Sequence, residues 1–301
     1  MTVKQYQDEL LKLIEDAVNT FEGQLPAIER NMLSRIQLLI KELEIKNGTI
    51  LNTTANLKLI GRINAELKSA ILSPKYLEAV QEFVNVFNKV ATLQQKYFKT
   101  NFNELPAKEK LDLIQKQSKD AIVKKLTGSG LDANVVSEVE DILRKNITTG
   151  GSYNALSTQM QEFMVSGAPE QHFGKISAYA KTIVVDAINQ FSAQYHEIVT
   201  EDLGLEWRMY VGSNIATTRE FCELMTEKKY VHRSELPQII KGLIDGHQCK
   251  INPRTKLWYG AIEGTTIATL PIDRGGHRCG HQFIAVSRMV VPKEIRMKFE
   301  K

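Results

Sequence analysis

The chain has 301 residues, 43% hydrophobic and 25% charged. That balance excludes wholesale disorder, collagen-like repeats and low-complexity structure, and the length suits two ordinary domains. With 39 Lys+Arg against 35 Asp+Glu the formal charge is +4. No apolar run reaches the ~18 residues of a membrane span, and residues 1–19 are broken by acids and bases every few positions. Neither a membrane segment nor a secretion signal is therefore expected, and the expected compartment is cytoplasmic.

In chain order, the first two-thirds read as helix after helix. Tyr6, Leu10, Leu13, Ile14 and Val18 fall at helical spacing over residues 2–20. Pro26 is read as the start of a second helix, with Ile28, Met32, Ile36, Leu39 and Leu43 as its stripe and Asn47-Gly48 as its stop. The pattern continues from Ile50 to Leu72. Ser73-Pro74 then supplies a cap and a first-turn proline for a helix carrying Leu77, Val80, Val84, Phe87 and Val90. Pro106 opens another helix, closed by Gly128-Ser129-Gly130, and further helices are expected over 133–147, 152–165 and 173–202. No fixed-period repeat indicates a solenoid.

The character changes at Gly204. Leu205–Val211 is aromatic and β-branched enough for a strand. A short helix near 218–226, then Lys229–His232, then a helix opened by Ser234 follow. Leu257–Ile262, Thr265–Leu270 and Gln282–Val291 read as short strands. The expected fold is mainly α, a long helical N-terminal region followed by a small α+β C-terminal domain. Along the chain the expected divisions are 1–150 (a helical stalk or oligomerisation platform), 151–203 (helices leading onward) and 204–301 (the small domain).

Chemistry-bearing residues concentrate in that last segment. All three cysteines (Cys222, Cys249, Cys279) and four of six histidines (His232, His247, His277, His281) lie there. Three cysteines cannot build a disulfide framework, and in a cytoplasmic setting they are expected as thiols. In Gly275-Gly276-His277-Arg278-Cys279-Gly280-His281, residues 277, 279 and 281 share a face if the chain is extended. Cys222, His277, Cys279 and His281 form a candidate zinc set, with His247 and Cys249 as substitutes. The favoured expectation is a metal-free cluster that packs the small domain, so no cofactor is expected and zinc is the alternative. A thiol nucleophile at Cys222 or Cys279, with His277 or His281 as base, is a further reading. So is a metal-dependent nuclease, for which His247 and Asn252 supply only scattered residues. No phosphate-binding glycine loop is present. Arg219, on the first turn of a helix, is expected to have a specific partner such as Asp273.

Charge is uneven as well. Residues 241–301 hold 11 Lys+Arg against 5 Asp+Glu. Lys293, Arg296, Lys298 and Lys301 are therefore candidates for sequence-independent contact with DNA phosphates.

The order of the C-terminal motifs is Trp207…Tyr210-Val211-Gly212-Ser213, then Thr217-Thr218-Arg219-Glu220-Phe221-Cys222, then Tyr230-Val231-His232, then Gly275-Gly276-His277-Arg278-Cys279-Gly280-His281-Gln282-Phe283 through Val286. That order, after a long helix near Ala178–Thr200, resembles the C-terminal domain of phage Mu F-like minor head proteins over residues 175–290. The chain departs from the family pattern where Glu223-Leu224-Met225 replaces a second cysteine, and where Gly280 and Phe283 replace Arg and Trp. The resemblance implies a non-enzymatic virion protein at the portal vertex or inner capsid surface, acting in head assembly and in genome packaging or delivery. It implies the portal protein, the major capsid protein and phage DNA as partners, several copies around a vertex, no membrane, and host cytoplasm during assembly. A cellular helical adaptor is the alternative outside virology.

Overall fold

A computed structural model describes residues 1–105, 108–165, 174–277 and 279–299. The helix starts expected at Pro106 and at position 173 lie outside the described residues. The protein is mainly α, as expected: long helices run to Asp202, and short strands, turns and short helices follow. The chain packs as two compact units. One comprises Met1–Ile14, Phe87–Ser118 and Val185–Lys301, the other Glu15–Val86 and Lys119–Val184. The 204–301 segment thus shares its unit with three earlier stretches of chain. The sequence division at 150 and 203 runs along the chain, whereas these units are divisions in space.

Helix α1, Val3–Ile40, is continuous through Pro26, which corrects the expected second start there. A proline in a helix interior removes one backbone bond and crowds the preceding turn. The apolar stripe nevertheless continues across it, with Phe21, Leu25, Ile28 and Met32 all buried, and the packing of that stripe carries the helix through. The Asn47-Gly48 pair corrects a second expectation. It does not stop α1, which has already ended at Ile40, but joins strands β1 (Ile45–Lys46) and β2 (Thr49–Ile50). Both turn residues have positive φ, 52° and 77°, as a two-residue type I′ hairpin requires.

Buried Asn56, in the first turn of α2 (Thr54–Ile71), pins the hairpin. Its amide accepts from the Glu44 N–H and donates to the Glu44 and Leu51 carbonyls. Helices α3 (Pro74–Phe102) and α4 (Lys108–Thr127) follow, then the turn α5 (Ser129–Leu131), a π-helical turn over Asp132–Val136, and α6 (Ser137–Thr149). Gly150, in the left-handed region, ends α6, and Ser152 caps α7 (Tyr153–Met164). In the same unit the buried Glu29 carboxylate accepts the Ser177 N–H at 2.8 Å, in the first turn of α8 (Lys175–Asp202). A negative group is favourable there, although burial raises the Glu29 pKa.

In the other unit, β3 (Trp207–Val211) is the centre of a three-stranded antiparallel sheet. Its neighbours are β4 (Tyr230–His232) and β7 (Gln282–Ala285). Strand alternation sorts its side chains. Trp207 and Met209 pack with Val286, Val291, Ile295 and Phe299, whereas Arg208 and Tyr210 take other partners. Tyr210 joins the larger core with Phe221, Met225, Trp258 and Phe283. Helix α9 (Glu220–Lys228) precedes β4, and a 3₁₀ turn then leads into α10 (Leu236–Ile239), a four-residue helix instead of the longer one expected. After it come the hairpin β5 (Leu243–Ile244) and β6 (His247–Gln248) and the turn helix α11 (Leu270–Asp273).

Three expected strands are reduced. The 257–262 segment keeps one isolated bridge, Ile251 with Trp258. The 265–270 segment is turns leading into α11, and the last strand stops at Ala285 before a 3₁₀ turn (Arg288–Val290) and α12 (Lys293–Arg296). Of their apolar residues Trp258, Leu270, Val286 and Val291 are buried, whereas Tyr259, Ile267, Met289 and Val290 are exposed, so these stretches lack the continuous buried face of a sheet strand.

The outer edge of β7 is covered by helix side chains. Tyr97 from α3 donates to the Ala285 carbonyl at 2.7 Å, and the Ala285 N–H donates to His196 Nε2 at 2.8 Å. The His196 Nδ1–H faces Gln94 Oε1 at 3.1 Å, and Gln94 donates in turn to Ser192. This fixes a neutral tautomer, and burial, with nearby Arg208 adding to it, drives the His196 pKa down to about 3.

Candidate functional site

The site is assembled from three short segments of the small sheet's unit. Gly212-Ser213-Asn214 leaves the end of β3, Cys222 sits on the first turn of α9, and Gly275–His281 leads into β7. Cys222 and Cys279, expected to approach each other, lie with their Sγ atoms 3.8 Å apart. His281 Nδ1 is 3.7 Å from Cys279 Sγ. The ligand atoms of Cys222, Cys279 and His281 all fall within 4.8 Å of one another, and all three residues are buried. His277 does not join them. Its side chain is exposed, and its carbonyl accepts from Arg219 at 2.7 Å. His247 is exposed on β6. Cys249 is packed in the hydrophobic core, its thiol pushed up to about 11 by burial, with Glu220 adding to the rise.

Two glycines make room for the cluster. A Cβ at Gly275 would stand 2.1 Å from Cys222 Sγ and 2.9 Å from Cys279 Sγ, and one at Gly212 would stand 2.2 Å from the His281 ring. Both positions are closed to any side chain. Tyr210 supports the cluster from β3: its ring stacks on His281 at 5.4 Å, and its hydroxyl donates to Cys222 Sγ at 3.4 Å. Burial, and then the two sulfurs, raise the Tyr210 pKa well above that of a free phenol. His281 Nε2 lies 3.2 Å from Asn214 Oδ1. Since an amide oxygen only accepts, Nε2 carries the proton and Nδ1 presents its lone pair to the sulfurs.

The sulfurs are inequivalent. The Cys222 thiol donates to Cys279, which lowers the Cys279 pKa and raises that of Cys222. Burial opposes the first effect and adds to the second, while the buried Arg274 guanidinium and then the His281 backbone N–H further favour charge on Cys279. Arg274 also donates to the Asn189 carbonyl at 3.3 Å, and burial lowers its own pKa.

All three residues line a cleft of about 530 Å³, together with Gly212, Ser213, Thr218 and Arg219. Among the described lining residues there is no carboxylate. The arrangement can share a proton between two sulfurs, and it can present two thiolates and an imidazole lone pair to a soft cation. It also sets the Cys279 sulfur 3.7 Å from an imidazole that Asn214 orients.

The partner of Arg219 is the His277 carbonyl, which corrects the expected ion pair, because Asp273 accepts instead from Thr269. The N-cap position of α9 belongs to Arg219, and Thr218 accepts the Ile215 N–H. Of the basic candidates, Lys293 and Arg296 lie in α12, Lys298 follows it, and Lys301 lies outside the described residues. Sequence reasoning missed Asn214 and Arg274. Their positions, just after the Gly-Ser that ends β3 and just before the Gly-Gly turn, were the available signals.

Compared with protein-family models, curated proteins and solved structures, the chain finds no match.

Proposed function

We propose that the chain is a minor head protein of a tailed phage, of the Mu F-like kind, acting without catalysis at the portal vertex or inner capsid surface. The observation that carries this reading is the order of the motifs from Trp207 to Val286. In support, the segments bearing that resemblance are drawn together in space: β3, the Arg219–Cys222 segment and the turn before β7 meet around the two sulfurs 3.8 Å apart. A domain that uses its most distinctive residues to close its own core suits an assembly part better than a catalyst. The proposed partners are the portal protein, the major capsid protein and DNA, the last through phosphate contacts of Lys293, Arg296 and Lys298. The proposed setting is the virion, with several copies around one vertex.

The enzyme alternatives have less support. The cleft lining holds no carboxylate among its described residues, and the Cys279 sulfur that faces His281 is also engaged by Cys222 and Tyr210. Quantitative mass spectrometry of purified virions, produced from the genome that encodes the chain, tests the proposal. The expected result is a low, fixed ratio of the chain to the portal protein. Its absence from virions, or metal-dependent DNA cleavage by the purified chain that is lost in a folded His281→Ala variant, would overturn it.

A further inference from the structure

We propose that Cys222, Cys279 and His281 hold a zinc ion that ties α9 to the turn entering β7. A tetrahedral zinc with Zn–S bonds of ~2.3 Å places two sulfurs ~3.8 Å apart, and with a Zn–N bond of ~2.0–2.1 Å it places sulfur and nitrogen ~3.6 Å apart. The observed separations are 3.8 Å between the sulfurs and 3.7 Å from Cys279 Sγ to His281 Nδ1. Two of the three donor separations therefore already stand at the spacing a zinc ion imposes, and the third, Cys222 Sγ to His281 Nδ1, lies within 4.8 Å.

Three independent features point the same way. The Nε2–H of His281 is directed at Asn214 Oδ1, the outer hydrogen bond that commonly fixes the tautomer and ring orientation of a zinc-bound histidine. Gly275 and Gly212 are bare where any Cβ would collide with the sulfurs or the imidazole, so the backbone is shaped around these three side chains. Charge balances too, since two thiolates neutralise a dication, which makes such a group compatible with its burial.

The fourth ligand is a water molecule from the cleft that all three residues line. His277 and Cys249 are not available for that position, the first being exposed and the second packed in the core. With no carboxylate among the described lining residues, the ion's work is to hold the fold. Zinc binding stands or falls separately from the virion assignment, because it rests on the geometry of this site and not on the order of the motifs.

The test uses the full chain, purified under reducing conditions without a polyhistidine tag or chelator. Elemental analysis is expected to give one zinc per chain. Removal by a chelator is expected to lower the melting temperature, and added Zn²⁺ to restore it. Titration of the stripped protein with Co²⁺ is expected to give the visible bands of a tetrahedral site and thiolate-to-cobalt charge transfer. Cys279→Ser and His281→Ala should weaken Co²⁺ binding at least tenfold, while His277→Ala and Cys249→Ser should leave it unchanged. A stripped wild-type chain that stays folded by circular dichroism and takes up no Co²⁺ would overturn the proposal, even if the variants fail to fold. So would uptake that survives in folded Cys279→Ser, or a Cys222–Cys279 disulfide in the freshly purified reduced protein.

Discussion

At the scale of single residues, the small sheet depends on buried polar groups whose partners come from α3 and α8. Arg208 is fully buried and makes a two-pronged contact with Glu197 at 3.0 and 2.6 Å, with a further bond to Glu201 at 2.7 Å. Removing one member of such a pair strands the other charge, at a cost of roughly 3–5 kcal/mol. Arg208→Ala is therefore expected to lower the urea midpoint far more than Arg233→Ala, whose guanidinium makes only a half-exposed pair with Glu201.

His196 makes the protein acid-sensitive. Its folded pKa, about 3, lies below the ordinary value of 6.5, so between those values the unfolded chain binds a proton that the folded chain refuses. Stability from this group is fully present above pH 6.5 and falls as pH drops toward 3, by roughly 1.4 kcal/mol per pH unit. His196→Gln has no such proton to refuse. The stability difference between wild type and His196→Gln, followed by denaturation from pH 7 to pH 4, should shrink on acidification. A difference independent of pH would show that His196 does not titrate in this way.

At the scale of elements, α1 runs through a proline because its buried stripe outweighs the local cost. Pro26 is exposed and gives its helix no hydrogen bond from nitrogen. Pro26→Ala should restore the bond to the Glu22 carbonyl and raise stability by about 1–2 kcal/mol, once the greater freedom of the unfolded chain is deducted. A lowered melting temperature would mean that the ring itself is packed. The Asn47-Gly48 turn teaches the converse. The dipeptide is a strong hairpin signal only when strands flank it, and here the strands are two residues each, too short to leave an alternating pattern in the sequence.

At the scale of the whole molecule, the modest charge of +4 conceals a basic C-terminal segment. Phe299 anchors that segment, packing against Trp207 at 5.2 Å and His232 at 4.7 Å, so Lys293, Arg296 and Lys298 are carried on an attached turn. Binding to duplex DNA, measured by fluorescence anisotropy, is expected to be weak and indifferent to sequence. It should fall steeply with salt. Each lysine-to-alanine change at 293 or 298 should make the log–log salt dependence shallower by about 0.9 for every phosphate no longer neutralised. Binding that resists high salt, or that selects a sequence, would contradict phosphate neutralisation as its basis.

Periodicity and composition by themselves determined the helical character up to Asp202, the change of character at Gly204, the strand at 207–211, and the residue types of the cysteine–histidine cluster. Those are local properties: a 3.6-residue stripe, a run of β-branched and aromatic residues, a turn marked by Gly-Gly. Only tertiary structure decided that His277 points to solvent while His281 turns inward, because Gly212, Tyr210 and Asn214, which receive the ring, come from a strand some 70 residues earlier. It also decided that Arg219 serves a backbone carbonyl and not an acid, and that the edge of β7 is closed by Tyr97 and His196. A side chain's partner depends on which segments the folded chain brings within a few ångströms, and spacing along the chain carries no record of that distance.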